Sequence, residues 1–368
     1  MDKLKIIFLL LLNFSFFFGQ EFNAKEYTTI KSKYFSDAVY IEKYLPKNFD
    51  KSGNTDYTDF IQDALSKNLK LVFPNYPMLI SDRGINLKSN QDILFQPNSK
   101  LILKSSNKPA YKIVSILNAS NVNIYFLNIE GDKYKHLSKD GEWGNGLSIK
   151  SSSNIMLYKP MVSKCWGDGI YIGQDTTIPQ NITINGGFIN DNRRNGISVI
   201  SGTDITLKNI TISNTKGHNP QSGIDIEPNT NKNQLNNIVL DNITTKNNAV
   251  HGIIISTGNL NDSSKPISIT VNNHRDYNSA IALGLSITRN NLNYLQPING
   301  KITINNSNYT LPGTAFIRNY KGKKSNVNLL LQNMTFNRSS VSKTEAKSSS
   351  TVSQFLSDFK LNINSDVK

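Results

Sequence analysis

Five segments decide the fold: GNGLSIK (144–150), GDGIYIG (167–173), RNGISVIS (194–201), QSGIDIE (221–227) and VHGIIIS (250–256). Their shared glycines, Gly146, Gly169, Gly196, Gly223 and Gly252, recur at intervals of 23, 27, 27 and 29 residues, which is a structural repeat. After each glycine the side chains alternate. Leu147/Ile149, Ile170/Ile172, Ile197/Val199, Ile224/Ile226 and Ile253/Ile255 share one parity, and Ser148, Tyr171, Ser198, Asp225 and Ile254 take the other. Period two means strands with one buried face.

A second strand family lies between these glycines: NVNIYFLNI (121–129), NIMLYKPMV (154–162), NITINGGFI (181–189), DITLKNITI (204–212) and NIVLDNITT (237–245). Intervals this short have no room for a helical crossover. Like strands must therefore stack on like strands. The expectation is an all-β, single-stranded, right-handed parallel β-helix, each rung burying its Ile, Leu and Val and pairing with its neighbours at roughly 4.8 Å. Asparagines such as Asn154, Asn181, Asn209 and Asn242 tolerate the left-handed conformation at corners, and internal asparagine ladders are the structural reading.

Outward from the repeats, residues 1–19 read as a signal peptide: Lys3 and Lys5 precede an apolar run at 7–18 that is short for a membrane span. The mature chain is expected to be secreted, periplasmic or extracellular, with no stable membrane insertion. Residues 20–68 form an N-terminal segment with a helical cap carrying Phe60, Ile61 and Leu65; residues 69–337 form the β-helix; 338–368 form a linker and a C-terminal tail or cap. The formal charge is +14, of which Asp2, Lys3 and Lys5 contribute a net +1, so the exported chain favours an anionic partner such as an acidic polysaccharide or oligosaccharide. One cysteine, Cys165, excludes an intramolecular disulfide and reads as buried filler. No nucleotide, zinc or nicotinamide motif occurs. Oligomeric state is not legible.

Chemistry concentrates in the repeats. With Ile224 and Ile226 inward, Asp225 and Glu227 fall on the outer face, roughly 6.5–7 Å apart along the strand, compatible with the acid–base separation of an inverting glycoside hydrolase. Asp168 shares a rung-relative column with Asn145, Asn195, Ser222 and His251, where either a turn or a site role is open. Trp166 and Tyr171 flank it and could stack on sugar. Arg193 and Arg194 lie one rung on; because adjacent residues point differently, one is expected to reach the groove and bind an anionic group. His218 and His251 are candidates for proton transfer. His136, Glu142 and Trp143 belong to a long corner loop that could wall the same groove. No cofactor is expected; calcium stays open, since Asp168, Asp225 and Glu227 offer oxygen ligands without a calcium loop.

FNAKEY (22–27) with TDFIQDAL (58–65) resembles the start of pectate lyase superfamily proteins, and GEWGNGLSI (141–149), CWGDGIYIG (165–173), NRRNGISVISG (192–202) and GHNPQSGIDIEPN (217–229) resemble a set recurring in uncharacterised bacterial members. The resemblance implies a parallel β-helix with its site on the outer face, as in polygalacturonase-related hydrolases, polysaccharide lyases and tailspikes. The NTD, paired-Asp, GHG and RIK blocks expected of polygalacturonases are absent, which speaks against that label. The sequence thus supports an enzyme cleaving an acidic polysaccharide, by glycoside hydrolysis with the Asp/Glu pair or by lyase elimination, with a non-catalytic glycan-binding solenoid as the alternative.

Overall fold

The computed structural model describes residues 23–261, 264–287, 298–310, 315–319 and 326–337. The expected signal peptide at 1–19 and the expected linker and tail at 338–368 lie outside the described residues. Three parallel sheets run the length of the molecule: eleven strands, nine strands and ten strands among the described residues. Each turn lends one strand to each sheet, as in Trp143–Lys150, Ser153–Tyr158 and Met161–Ser163, before Ile170–Gly173 returns to the first of these. The result is a right-handed β-solenoid.

The glycine-marked strands form the nine-stranded sheet. Ile170, Ile197, Ile224 and Ile253 are register partners from rung to rung and are wholly buried, as the alternation requires. The reason for glycine at the marker is steric. A Cβ on Gly146, Gly169, Gly196 or Gly223 would lie 2.6–2.7 Å from the carbonyl oxygen of the next marker glycine, so only a residue without a side chain lets the rungs close at this corner.

The second strand family is two families. Each run breaks at a residue with positive φ, such as Phe126 (58°), Lys159 (49°), Asn209 (59°) or Asn242 (51°), and the two halves enter different sheets. A continuous apolar run hides such a corner because both halves bury the same kind of side chain. The asparagine ladders are also displaced from expectation. Asn181 Nδ2 donates to Asn154 Oδ1 (2.7 Å) and Asn154 Nδ2 to Asn121 Oδ1 (3.0 Å), yet these residues are exposed, so the ladders run along the outer corners.

The helix Thr58–Lys67 packs Ile61, Ala64 and Leu65 against the first rungs, while Phe60 turns outward and is 39% exposed. A second helix, Ala24–Tyr34, lies on the flank: Glu26 binds Tyr158 and Lys159, and Tyr34 stacks on Tyr125 with ring centroids 6.0 Å apart. Cys165 is buried.

Toward the C-terminal rungs the lumen holds polar groups. Thr245 Oγ1 donates to Asp276 Oδ2 (2.6 Å) and contacts His274 Nε2 (2.8 Å), all fully buried. Burial raises the Asp276 carboxyl from 3.8 to about 6, against the opposing hydrogen bonds from Thr245 and Ser279. Between about pH 4 and 6 the folded chain therefore holds a proton that the unfolded chain releases, and the stability this confers is lost as pH rises through that window. Relative to Asp276→Asn, wild type is expected to lose about 1.4 kcal/mol per pH unit there; urea unfolding of both proteins across the window checks it, and parallel curves would refute it.

Candidate functional site

The outer side of the glycine-marked sheet carries two columns. Ser148, Tyr171, Ser198, Asp225 and Ile254 are register partners in one. At the corner beside it, each side chain accepts the backbone N–H of the next rung: Asp168 N–H donates to Asn145 Oδ1 (3.2 Å), Asn195 N–H to Asp168 Oδ1 (3.1 Å) and Ser222 N–H to Asn195 Oδ1 (3.1 Å). Ser222 Oγ then meets His251 Nδ1 at 3.1 Å. This corner ladder satisfies backbone groups that the turn would otherwise leave without partners.

The columns are cross-linked into one buried network. Arg194 Nη1 donates to both Asp168 oxygens (3.2 and 3.1 Å) and Ser198 Oγ donates to Asp168 Oδ2 (2.8 Å). Asn195 Nδ2 bridges Ser198 Oγ (3.1 Å) and Asp225 Oδ2 (3.0 Å). Asp225 Oδ1 has no hydrogen-bond partner among the described residues. Outer parity places Asp225 outside the lumen and the corner ladder carries Asp168, but both are only 1% exposed. The sheet face at this point is roofed, which alternation along a strand does not register.

Two loops make the roof. In residues 131–142, Asp132 accepts from Ser106 N–H (2.9 Å), binds Tyr111, and meets His136 Nδ1 at 2.8 Å. His136 stacks on Trp166 (centroids 4.0 Å apart, planes at 18°), and the Arg193 guanidinium covers the other side of the indole at 3.7 Å. Arg193 Nη1 also donates to Gly141 O and Trp166 O. Of the expected ligand-binding residues, His136, Trp166 and Arg193 are thus a packed clamp rather than groove wall. The loop 214–221 is held by His218 N–H donating to Arg193 O (2.8 Å). Glu142 joins the two loops, meeting His218 Nε2 at 2.9 Å and Arg194 Nε at 3.4 Å.

Burial, then the charge of Glu227, pushes the Asp225 carboxyl well above the usual carboxylate range, against the pull of Arg194. Asp168 is raised by burial, with Arg194 and Ser198 opposing. His251 is pushed down to about 4, first by burial and then by Arg318. An imidazole held neutral and walled in beside Ser222 does not face the groove that follows.

That groove, about 600 Å³, runs along the axis from Asp82 and Arg83 to Glu227 and Asn229. Arg194, Tyr171, Trp143 and Glu227 of the expected residues line it, together with Asn145 of the corner column and with Lys112 and Lys150, which the sequence reading passed over. Tyr171 is half-buried because its ring folds over Gly173, where a Cβ would lie 2.6 Å from the ring. The unnoticed lysines were accessible to the same register logic: Lys112 partners Asn145, and Lys150 partners Gly173. Asp168, Asp225 and Glu227 form no three-residue set able to hold a metal among the described residues, and Arg194 already supplies the positive charge beside Asp168. No step below is routed through calcium. No helix among the described residues is long and apolar enough to cross a membrane.

No family model matches the chain. Two uncharacterised Bacillus subtilis proteins are similar to it: the SPbeta prophage-derived YorA, 27% identical over 39% of this chain and 28% of the relative, and YclG, 26% identical over 48% and 36%. The matched segments therefore span about a third of those relatives' length. Among solved structures, the polygalacturonase of Erwinia carotovora superposes with TM-score 0.60 at 14% identity, covering 80% of this chain and 94% of that one. The mannuronan C-5 epimerase AlgE6 A-module of Azotobacter vinelandii gives 0.56 at 14%, covering 81% and 86%. Tailspike gp49 of Acinetobacter baumannii bacteriophage Fri1, a capsular polysaccharide depolymerase, gives 0.56 at 14%, covering 82% and 60%. At this identity the likeness shows the fold, that of the polygalacturonase-type parallel β-helix proteins and tailspikes.

Proposed function

We propose that the chain is an exported enzyme that hydrolyses an acidic polysaccharide lying along the groove of the glycine-marked sheet. One observation carries the reading: Asp225, a carboxyl pushed well above the usual carboxylate range by burial and by the charge of Glu227, stands two residues before that second carboxyl, which lines the groove. A general acid must keep its proton at working pH and a base must face water, and two carboxylates in unlike surroundings divide those duties. Asp225 Oδ1 lies buried and without a partner among the described residues, behind the groove wall between Arg194 and Glu227, so on this reading substrate must displace that wall to meet it. The Asp225 proton passes to the glycosidic oxygen as its bond to the anomeric carbon breaks; Glu227 takes a proton from the water whose oxygen attacks that carbon. Asp168 positions Arg194 and does not touch the substrate. The fold is shared with proteins whose names describe action on polyuronates and capsular polysaccharide, which supports the substrate class.

The test is a screen of polyuronates, other anionic glycans and neutral glycans, with mass analysis of products. Fragments that have gained one water are expected. Unsaturated fragments would overturn hydrolysis in favour of elimination, and binding without any cleavage would reduce the protein to a glycan-binding solenoid.

A further inference from the structure

Among the described residues most half-buried lysines are ion-paired, Lys31 and Lys208 being exceptions on other faces. Lys133, with 7% of its side chain exposed, meets Asp191 at 2.7 Å; Lys159 binds Glu26; Lys100 meets Glu130 at 3.2 Å. Lys150 is half-buried in the groove, its ammonium 5.3 Å from the Tyr171 ring centroid, and it has no ion pair among the described residues. Lys112 lines the same groove, also without one. Burial and then the neighbouring charge of Lys112 push the Lys150 ammonium down, with Asp175 opposing. Two cations converging on one cavity, one of them partly desolvated, are costly unless something anionic comes between them.

Resting on the reading that the groove holds an acidic glycan, we propose that Lys112 and Lys150 form a subsite for one anionic ring substituent of that glycan, the ring itself lying against Tyr171. The rung of Lys150 precedes that of Glu227 by three. At roughly 4.8 Å per rung the subsite lies about 14 Å from the cleavage point. Inter-rung spacing is close to the length of a pyranose unit, so the lysines read a substituent about three sugars away and not the sugar being cut. Lysine suits this task, because a mobile point charge tolerates small differences in placement that a bidentate arginine would not.

Calorimetric titration of the full chain, carrying Glu227→Gln throughout to prevent turnover, tests this. The probes are oligogalacturonates and oligomannuronates, their carboxyl-reduced counterparts, and a sulfated galactan oligosaccharide. Lys150→Met and Lys112→Met are each expected to weaken binding of the acidic probe by about tenfold, to leave the reduced probe within about twofold, and to flatten the salt dependence. Lys150→Arg restores most of the loss. Lysine-dependent binding of either the uronate or the sulfated probe supports the subsite and says which anion it takes. Equal loss on acidic and reduced probes would make Lys150 a mere prop for Tyr171 and overturn the proposal, as would an absence of charge-dependent binding to every probe. Lysine-dependent binding without hydrolysis by wild type would sink only the catalytic reading; hydrolysis with no discrimination by the lysine variants would sink only the subsite.

Discussion

Glu227→Gln and Asp225→Asn are each expected to lower kcat by about 10²-fold or more while leaving KM within a few-fold, because each removes a proton-transfer step and little binding. Both variants should fold. An amide at 225 still offers an oxygen to Asn195 Nδ2, and Glu227 is half-buried at the groove edge. The pair also predicts a signature that a structural role would not produce. Burial and the charges of Glu227 and Asp168 hold Asp225 high, so Glu227→Gln should let the Asp225 carboxyl titrate at lower pH while burial keeps it above the ordinary range. Carboxyl-carbon NMR would follow it. Hydrolysis retained in both variants would move the chemistry elsewhere, and an unchanged Asp225 titration in Glu227→Gln would show that the two groups are not coupled.

The second large effect concerns Arg194. Its guanidinium holds a carboxylate that is 1% exposed, and removing one partner of a buried pair typically costs about 3–5 kcal/mol because the other is stranded. Arg194→Ala should therefore destabilise strongly in urea unfolding. With the arginine gone, Asp168 is driven further toward its protonated form, so the folded chain holds a proton the unfolded chain gives up, and the deficit should widen as pH rises above the ordinary carboxylate range. Arg193→Ala offers the contrast. It loses a cation–π contact worth roughly 0.5–2 kcal/mol and leaves Asp168 untouched, so its cost should be smaller and independent of pH. Equal losses for the two arginines would contradict the division of labour drawn from their contacts.

The solenoid was legible because two local constraints repeat. Marker glycines recur where the next rung's carbonyl leaves no room for a Cβ, and alternation assigns Ile170, Ile197, Ile224 and Ile253 to one column. The third sheet was not legible, since nothing in a run such as NITINGGFI says that its two halves face different layers. At the site, the corner column from Asn145 to His251 could be aligned from the sequence. Its closure could not. The loops at 131–142 and 214–221 meet through Glu142, His218 and the Arg193–Trp166–His136 stack, contacts between segments far apart in the chain. That is why Arg193 and Trp166 resembled groove residues in the sequence, and why Lys150, on an ordinary-looking strand end, did not.

The flank helix imposes an order of assembly. A solenoid can in principle grow turn by turn, each new strand finding its template in the one before. Glu26 breaks that rule, for its partners Tyr158 and Lys159 are 132 and 133 residues downstream. Until the strand Ser153–Tyr158 has formed, the helix Ala24–Tyr34 has only the Tyr125–Phe126 corner to pack on and lacks the anchor for Glu26. It therefore acts as a latch fastened late: it adds little to the speed of folding and much to the resistance of the early turns to fraying. Contacts of this sequence separation are expected to form after the folding barrier, so Glu26→Ala should chiefly accelerate unfolding, as stopped-flow kinetics would show.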